Sequence, residues 1–230
     1  MLLECRNITF RYPNSNMAVF DELSFEMLTP GFHALFGPSG VGKTSLAYIL
    51  VGKIADYAGS VRTNGMNTLL YSYNLERLPD WSSVGKHLEK ITPPQLRDRR
   101  DELIESFDMA SNMGNRFSQL SLGQQNRVNL IRYLLQDFDL LIMDESLANV
   151  DERTREKIIL KIKDMFPQTY FLYISHNVVE VSTFCKEILV FRNPRKKPQL
   201  VTVNGCDRKL GQTIDEDQLE QTMLEIMHAS

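Results

Sequence analysis

Gly37-Pro38-Ser39-Gly40-Val41-Gly42-Lys43-Thr44 fits the pattern G-x-x-x-x-G-K-[ST]. The chemistry that needs these residue types is the cradling of a phosphate chain. Glycines permit the turns that aim successive backbone N–H groups at anionic oxygens. A helix starting at the lysine adds the partial positive charge of its first turn. Lys43 can reach the β- and γ-phosphates, and the Thr44 hydroxyl can ligate Mg2+. The apolar run GFHALF before the loop, and Leu46, Ile49 and Leu50 on one helical face after it, give the strand–loop–helix context the motif requires. The alternative is a glycine-rich turn with an incidental lysine. Residues Gly37 to Ser45 are thus the expected nucleotide-binding set, and by themselves they imply only a nucleoside triphosphate.

A second group lies at 140–145, LLIMDE. A buried strand ending in aspartate puts that carboxylate at the carboxyl edge of a sheet, beside the phosphate loop. Asp144 would then orient Mg2+, through water. Glu145, one residue on, points elsewhere and is suited to polarise an attacking water as a general base. The alternative, a strand running out into a charged loop, loses ground because the phosphate loop precedes it.

The stretch LSLGQQ at 120–125 contains no carboxylate and no metal-ligand cluster. A helix N-cap by Ser121 is its simplest role. The longer run LSLGQQNRVNLIRYLLQDFDLLIMDE, however, resembles the ATP-binding cassette (ABC) ATPases. In that family a signature of the form L-S-G-G-Q precedes a helix with Q-R-V and A-R-A and then the apolar strand with D-E. Ser121, Gly123, Gln124, Arg127, Val128 and Arg132 match, and Leu122 departs from glycine.

The resemblance implies that two cassettes pack head to tail. Ser121, Leu122, Gly123 and Gln124 of one would close over ATP held by the other, supplying donors to its γ-phosphate. It implies further that Gly123→Asp blocks dimerisation while leaving ATP binding by a single chain intact. The segment SLANVD at 146–151 would cross the interface, with Asn149 and Asp151 as its working members and Ser146 in place of a usual proline. His176, past the run YIS, takes the place of the family's switch histidine, and Tyr12 that of the aromatic stacked on adenine. Glu145, His176 and Lys43 are then the catalytic set, with ATP and Mg2+ as cofactors.

The stretch YSYNLERLPDWSSVGKHL at 71–88 resembles importer ATPases of the nitrate, sulfonate and taurine group. Asn74 stands where their glutamine is expected, which makes Thr44, Asp144 and Asn74 the implied metal set. Trp81 is either part of a permease-facing surface or core of a subdomain.

The elements that must position these groups read as an α/β chain. The resemblance makes it a P-loop NTPase, with a RecA-like core, an antiparallel β subdomain and an inserted α-helical subdomain. The core covers 1–73 and 126–205, the helical insert 74–125 and a helical tail 206–230. MLLECRNITF and DELSFEML read as strands, SVRTNGMNTLLYSY as strand, Asn64-Gly65 turn and strand, and LRDRRDELIESFDMA as helix. DLLIM and YFLYIS read as buried strands, EILVF and QLVTV as a closing hairpin, and DEDQLEQTMLEIMH as a surface helix.

The 230 residues carry a formal net charge of −3, so nothing pulls the chain towards nucleic acid. The basic cluster at 192–198 reads as a solvated turn. Three cysteines without a C-x-x-C pair disfavour a disulfide or zinc framework. No run approaches the ~20 apolar residues of a membrane span, and no signal peptide is expected.

A separate transmembrane permease is therefore the expected partner. A second identical or paralogous cassette and an extracytoplasmic solute-binding protein complete the implied set, placing the chain at the cytoplasmic face of the membrane. A non-transport ABC ATPase acting as a mechanical or signalling switch stays open as the alternative, while a small-molecule P-loop kinase fits neither LSLGQQ nor His176.

Overall fold

The computed structural model describes residues 1–230 except Leu75, Pro79 and residues 193–195. Part of the basic cluster, and two positions of the stretch at 71–88, therefore lie outside the described residues. In chain order the elements are β1 (Leu2–Phe10), β2 (Phe20–Met27), β3 (Gly31–Phe36), α1 (Lys43–Leu50), β4 (Ala58–Asn64), β5 (Leu69–Tyr73), α2 (Val84–Ile91), α3 (Arg97–Ser106), α4 (Leu122–Leu134), β6 (Leu140–Asp144), α5 (Glu152–Met165), β7 (Tyr170–Ile174), α6 (Val178–Phe184), β8 (Glu187–Phe191), β9 (Leu200–Asn204) and α7 (Glu216–Ala229).

Six strands form a sheet in the order β5-β6-β7-β3-β8-β9. The first five are mutually parallel, and β9 closes the edge antiparallel to β8. Every residue of β6 and β7 is buried, as strands covered on both faces must be. Alternation then sorts their side chains between two cores. Leu140, Ile142, Leu172 and Ile174 join α1 and the small sheet, whereas Leu141, Met143, Phe171 and Tyr173 join the helices α2 to α5.

The small sheet is antiparallel, in the order β2-β1-β4. Its strand β2 buries Leu23, Phe25 and Met27 and exposes the residues between them, the one-sided alternation read from the sequence. Between β5 and α4 lie, among the described residues, the helices α2 and α3 and three short 3-10 turns. The tail helix α7 docks against α6 and β9, burying Thr222 and Ile226. Among the described residues no helix is long and apolar enough to cross a membrane.

The Asn64-Gly65 turn does not make a hairpin. Strand β4 pairs with β1, while β5 pairs with β6 in the other sheet. Gly65 does take the left-handed φ of 78° that a tight turn needs. The exit is then captured by Asp139, whose Oδ2 accepts the N–H groups of Asn67 at 2.6 Å and Thr68 at 3.0 Å. That steers the chain alongside β6 instead of back along β4.

Candidate functional site

Strand β3 sits inside the six-stranded sheet, so the loop that follows emerges at the sheet's carboxyl edge. Gly42 is the N-cap of α1, with φ 111° and no side-chain cap. A Cβ there would fall 2.6 Å from a Val19 methyl carbon and 2.8 Å from the Phe20 ring, so both conformation and space require glycine. The first-turn N–H groups of α1 are consequently left without a side-chain acceptor, as an anion site needs. Lys43 folds back along the loop, its Nζ donating to the carbonyls of Gly37 at 2.7 Å and Pro38 at 2.9 Å. Partial burial lowers the pKa of its ammonium, opposed by the Asp144 and Glu145 carboxylates.

A cleft of about 420 Å³ opens here. Ser39, Gly40, Gly42, Lys43, Thr44 and Ser45 line one side, with Tyr73, Asn74, Asp144, Glu145 and Ile174 completing it. The phosphate loop, the D-E pair and Asn74 thus share one space. A larger cavity, about 580 Å³, opens at the other end of the sheet beside Gly31, Lys163 and Lys186; it contains none of the motif residues.

Asp144 is 9 % exposed. Its Oδ2 accepts from the Thr44 hydroxyl at 2.8 Å and the Tyr71 hydroxyl at 2.7 Å. Burial first, and then the hydrogen bond and charge of Asp144, push the Tyr71 phenol far above its ordinary value. Glu145 follows at φ 50°. This left-handed backbone is uncommon for a non-glycine residue and costs about 1–3 kcal/mol. Its side chain is 52 % exposed, with Oε1 3.7 Å from Nδ1 of His176, itself 75 % exposed. Two adjacent carboxylates are thereby separated, one buried against Thr44 and one open to solvent.

The oxygen donors suit Mg2+. Such an ion takes one or two carboxylate or hydroxyl ligands and completes its octahedron with phosphates and water. Thr44 and Asp144 offer that set. Among the described residues no group of three His, Cys, Asp or Glu side chains could hold a metal alone. Asn74 is differently placed: its Oδ1 accepts from Nδ2 of Asn126 at 2.9 Å. Tyr12 is tied to the loop through a 2.9 Å hydrogen bond to the Ser45 hydroxyl. Its ring lies edge-on to Phe10 and is 44 % exposed.

The residues at 121–124 line none of this cleft. Ser121 caps α4, its Oγ accepting from Gln124 N, while Oε1 of Gln124 accepts from Ser121 N. Leu122 is 49 % exposed and lines a separate groove with Arg77, Leu78, Asp80, Phe117, Ser118 and Gln125. Gly123 is buried, and a Cβ on it would stand 2.2 Å from the Asn149 carbonyl oxygen. A Gly123→Asp chain must therefore move its own 148–150 segment, so this change perturbs the packing of its own chain as well as the face it would offer a second cassette.

Asn149 adopts φ 62°. Asp151 caps α5, and the Thr154 N–H bonded to its carboxylate holds its pKa below the ordinary range. Ser146, in the place of the family's usual proline, donates its one hydroxyl proton towards the Ser72 carbonyl at 3.0 Å, with the Ser72 hydroxyl also at 3.0 Å. Trp81 is 80 % exposed, which removes its reading as subdomain core.

Sequence reasoning missed three partners. Tyr71 carried no signal beyond strand alternation. Asn126 did carry one: it is an amide on the apolar stripe of a helix, where an unpartnered polar group would be costly. Glu180, buried against Arg155, Tyr173 and Ser175, braces the chain just behind His176.

Residues 20–148 match the family model described as ABC transporter. The chain is 29 % identical over 191 residues to the spermidine/putrescine import ATP-binding protein PotA of Mesorhizobium japonicum, covering 76 % of this chain and 52 % of that protein. It is 26 % identical over 210 residues to the aliphatic sulfonates import ATP-binding protein SsuB of Bacillus subtilis, covering 86 % and 82 %. It spans about half the length of the first of these relatives. A bacterial Atm1-family ABC exporter structure with ATP bound superposes with a TM-score of 0.74, over 99 % of this chain and 41 % of that one, at 19 % identity. That likeness establishes the P-loop NTPase fold.

Proposed function

The chain belongs to the ABC transporter family, and from that premise we propose that it is the ATP-binding and ATP-hydrolysing subunit of an importer, driving a separate membrane permease. The observation that carries the reading is the division of the motif residues. The phosphate loop, Asp144 and Glu145 share one cleft, while Ser121 to Gln124 stand outside it on the same chain. A signature that cannot reach its own nucleotide is of use to a second cassette, identical or paralogous.

ATP would lie with its phosphates against the Gly37–Ser45 loop and its base against the exposed Tyr12 ring. Lys43 neutralises the phosphate end, with two of its three N–H groups already anchored to the loop. Thr44 and Asp144 would hold Mg2+, whose contribution is to neutralise charge on the phosphate oxygens. Glu145 accepts a proton from the attacking water, and His176 beside it reaches the terminal phosphate. Ser121 and the first turn of α4 supply N–H and O–H donors to the partner's nucleotide, with Asn149 and Asp151 crossing beside them. The exposed face around Leu78, Trp81 and Leu122 is the permease-docking side. Import is supported by the names of both relatives. Those names differ in cargo, so specificity is assigned to the permease and to any extracytoplasmic solute-binding protein.

Purification in mild detergent tests the assignment. A multi-span membrane protein retained with the chain, and ATPase activity dependent on Mg2+, are expected. An active ATPase with no such partner would favour a switch role; no ATP binding at all would refute both.

A further inference from the structure

Strands β5 and β6 run in register, Tyr71 opposite Ile142 and Tyr73 opposite Asp144. Residues paired across neighbouring strands share a face, and so do residues two apart. Tyr71, Tyr73 and Asp144 therefore project to the same side of the sheet, towards α1. The Tyr71 hydroxyl reaches one rung along and donates to Oδ2 of Asp144 at 2.7 Å. Thr44 Oγ1 donates to that same oxygen at 2.8 Å.

A carboxylate oxygen offers about two lone-pair sites. Both sites on Oδ2 are then filled by protein, and Oδ1 carries what remains of the carboxylate's accepting capacity. The Thr44 proton is likewise committed to Oδ2, which leaves that hydroxyl's lone pairs to accept. Tyr71 is not a loose donor. It is 7 % exposed, its ring edge-on to Tyr48 at 5.2 Å, stacked on Tyr73 at 5.9 Å, and capped by the Lys53 ammonium at 4.7 Å. Lys53 lies at 5.1 Å from the Tyr48 ring as well, so the phenol is gripped between α1 and β5.

We propose that Tyr71 is a positioning residue for the cation site: by occupying Oδ2 it fixes the rotation of the Asp144 carboxylate, so that Oδ1 and the Thr44 lone pairs are presented together to the metal. This rests on the reading of Thr44 and Asp144 as the metal set. Tyr71 touches neither metal nor phosphate and acts only through Asp144. Outer partners of this kind typically change metal affinity by 10–100-fold when removed.

The test is Mn2+ binding, followed by its electron paramagnetic resonance signal, to the whole chain in the presence of a non-hydrolysable ATP analogue. Tyr71→Phe keeps the ring and its packing and removes the hydroxyl. Its Mn2+ affinity is expected to fall on the order of 10-fold, the low end of that range, while analogue binding without metal is expected to be unchanged. Tyr71→Met, which fills the space without ring or hydroxyl, should lose the same metal affinity, so the prediction survives poor folding of either variant. Unchanged Mn2+ affinity in Tyr71→Phe overturns the proposal, as does a loss seen in Phe that Met restores. A wild-type chain that binds the analogue but takes up no Mn2+ would instead overturn the metal set itself.

Discussion

The Asn126 side chain donates to Asn74 Oδ1 at 2.9 Å and, through the same Nδ2, to the Ala148 carbonyl at 2.7 Å. A backbone carbonyl only accepts, so Asn126 must turn its NH2 group towards Ala148. The same group faces Asn74, which must then offer its oxygen. The residue expected to approach the metal thus has that oxygen committed to the signature helix. Three segments meet at one amide: the exit of β5, α4 and the 146–151 segment.

This geometry bears on Asn74 directly. Glutamine there would add one methylene, about 1.5 Å of reach at a typical C–C length. Asn74→Gln is expected to raise basal ATPase several-fold, and Asn74→Ala to lower it. Steady-state phosphate release over a Mg2+ titration is the measurement. Equal rates in all three chains would mean that Asn74 has no part in holding the metal or the water.

Glu145 stands apart from Asp144 by virtue of its left-handed backbone. Glu145→Gln keeps the shape and removes the base. Turnover should drop by the 10²–10⁴-fold typical of losing a general base, and ATP should accumulate in a stable dimer visible by size exclusion. Activity within about three-fold of wild type would place the base elsewhere, since even a modest general base contributes more than that.

At the signature, Ser121 and Gly123 separate two effects. Gly123→Ala forces the Asn149 carbonyl aside and should lower the melting temperature of the single chain. Ser121→Ala removes a helix cap worth about 1 kcal/mol and leaves the chain folded. ATP-driven dimerisation should nevertheless fail in Ser121→Ala, with ATP binding by the single chain retained. Equal loss of both would mean that Ser121 serves its own chain only.

Cys5 gives a pH test of the β1 packing. Burial, with a smaller contribution from the Glu4 charge, pushes its thiol up to about 12 from 9.0. The native thiol should resist iodoacetamide at pH 8. An unfolded chain ionises this group first, so its contribution to stability is complete below about pH 9 and is lost as the pH rises towards 12. The stability advantage of wild type over Cys5→Ala should narrow across that window; a constant gap would mean that the thiol is not sealed.

The sequence by itself determined the order of the chemistry along the chain. The loop Gly37–Thr44 needs glycine and lysine for local reasons, and LLIMD is a buried strand by its composition alone. Each signal is complete within about ten residues, the span over which backbone preference and side-chain periodicity act. The tertiary structure decided what depends on distant neighbours. Asn64-Gly65 has the chemistry of a hairpin turn, yet Asp139 draws the next strand into another sheet. Trp81 reads equally well as core or surface until its neighbours are placed. Tyr71 looks like any strand tyrosine, and Gly123 like a residue facing only a partner chain. Their roles follow from Asp144 and Asn149, contacts made by strand register and loop packing that no local pattern encodes.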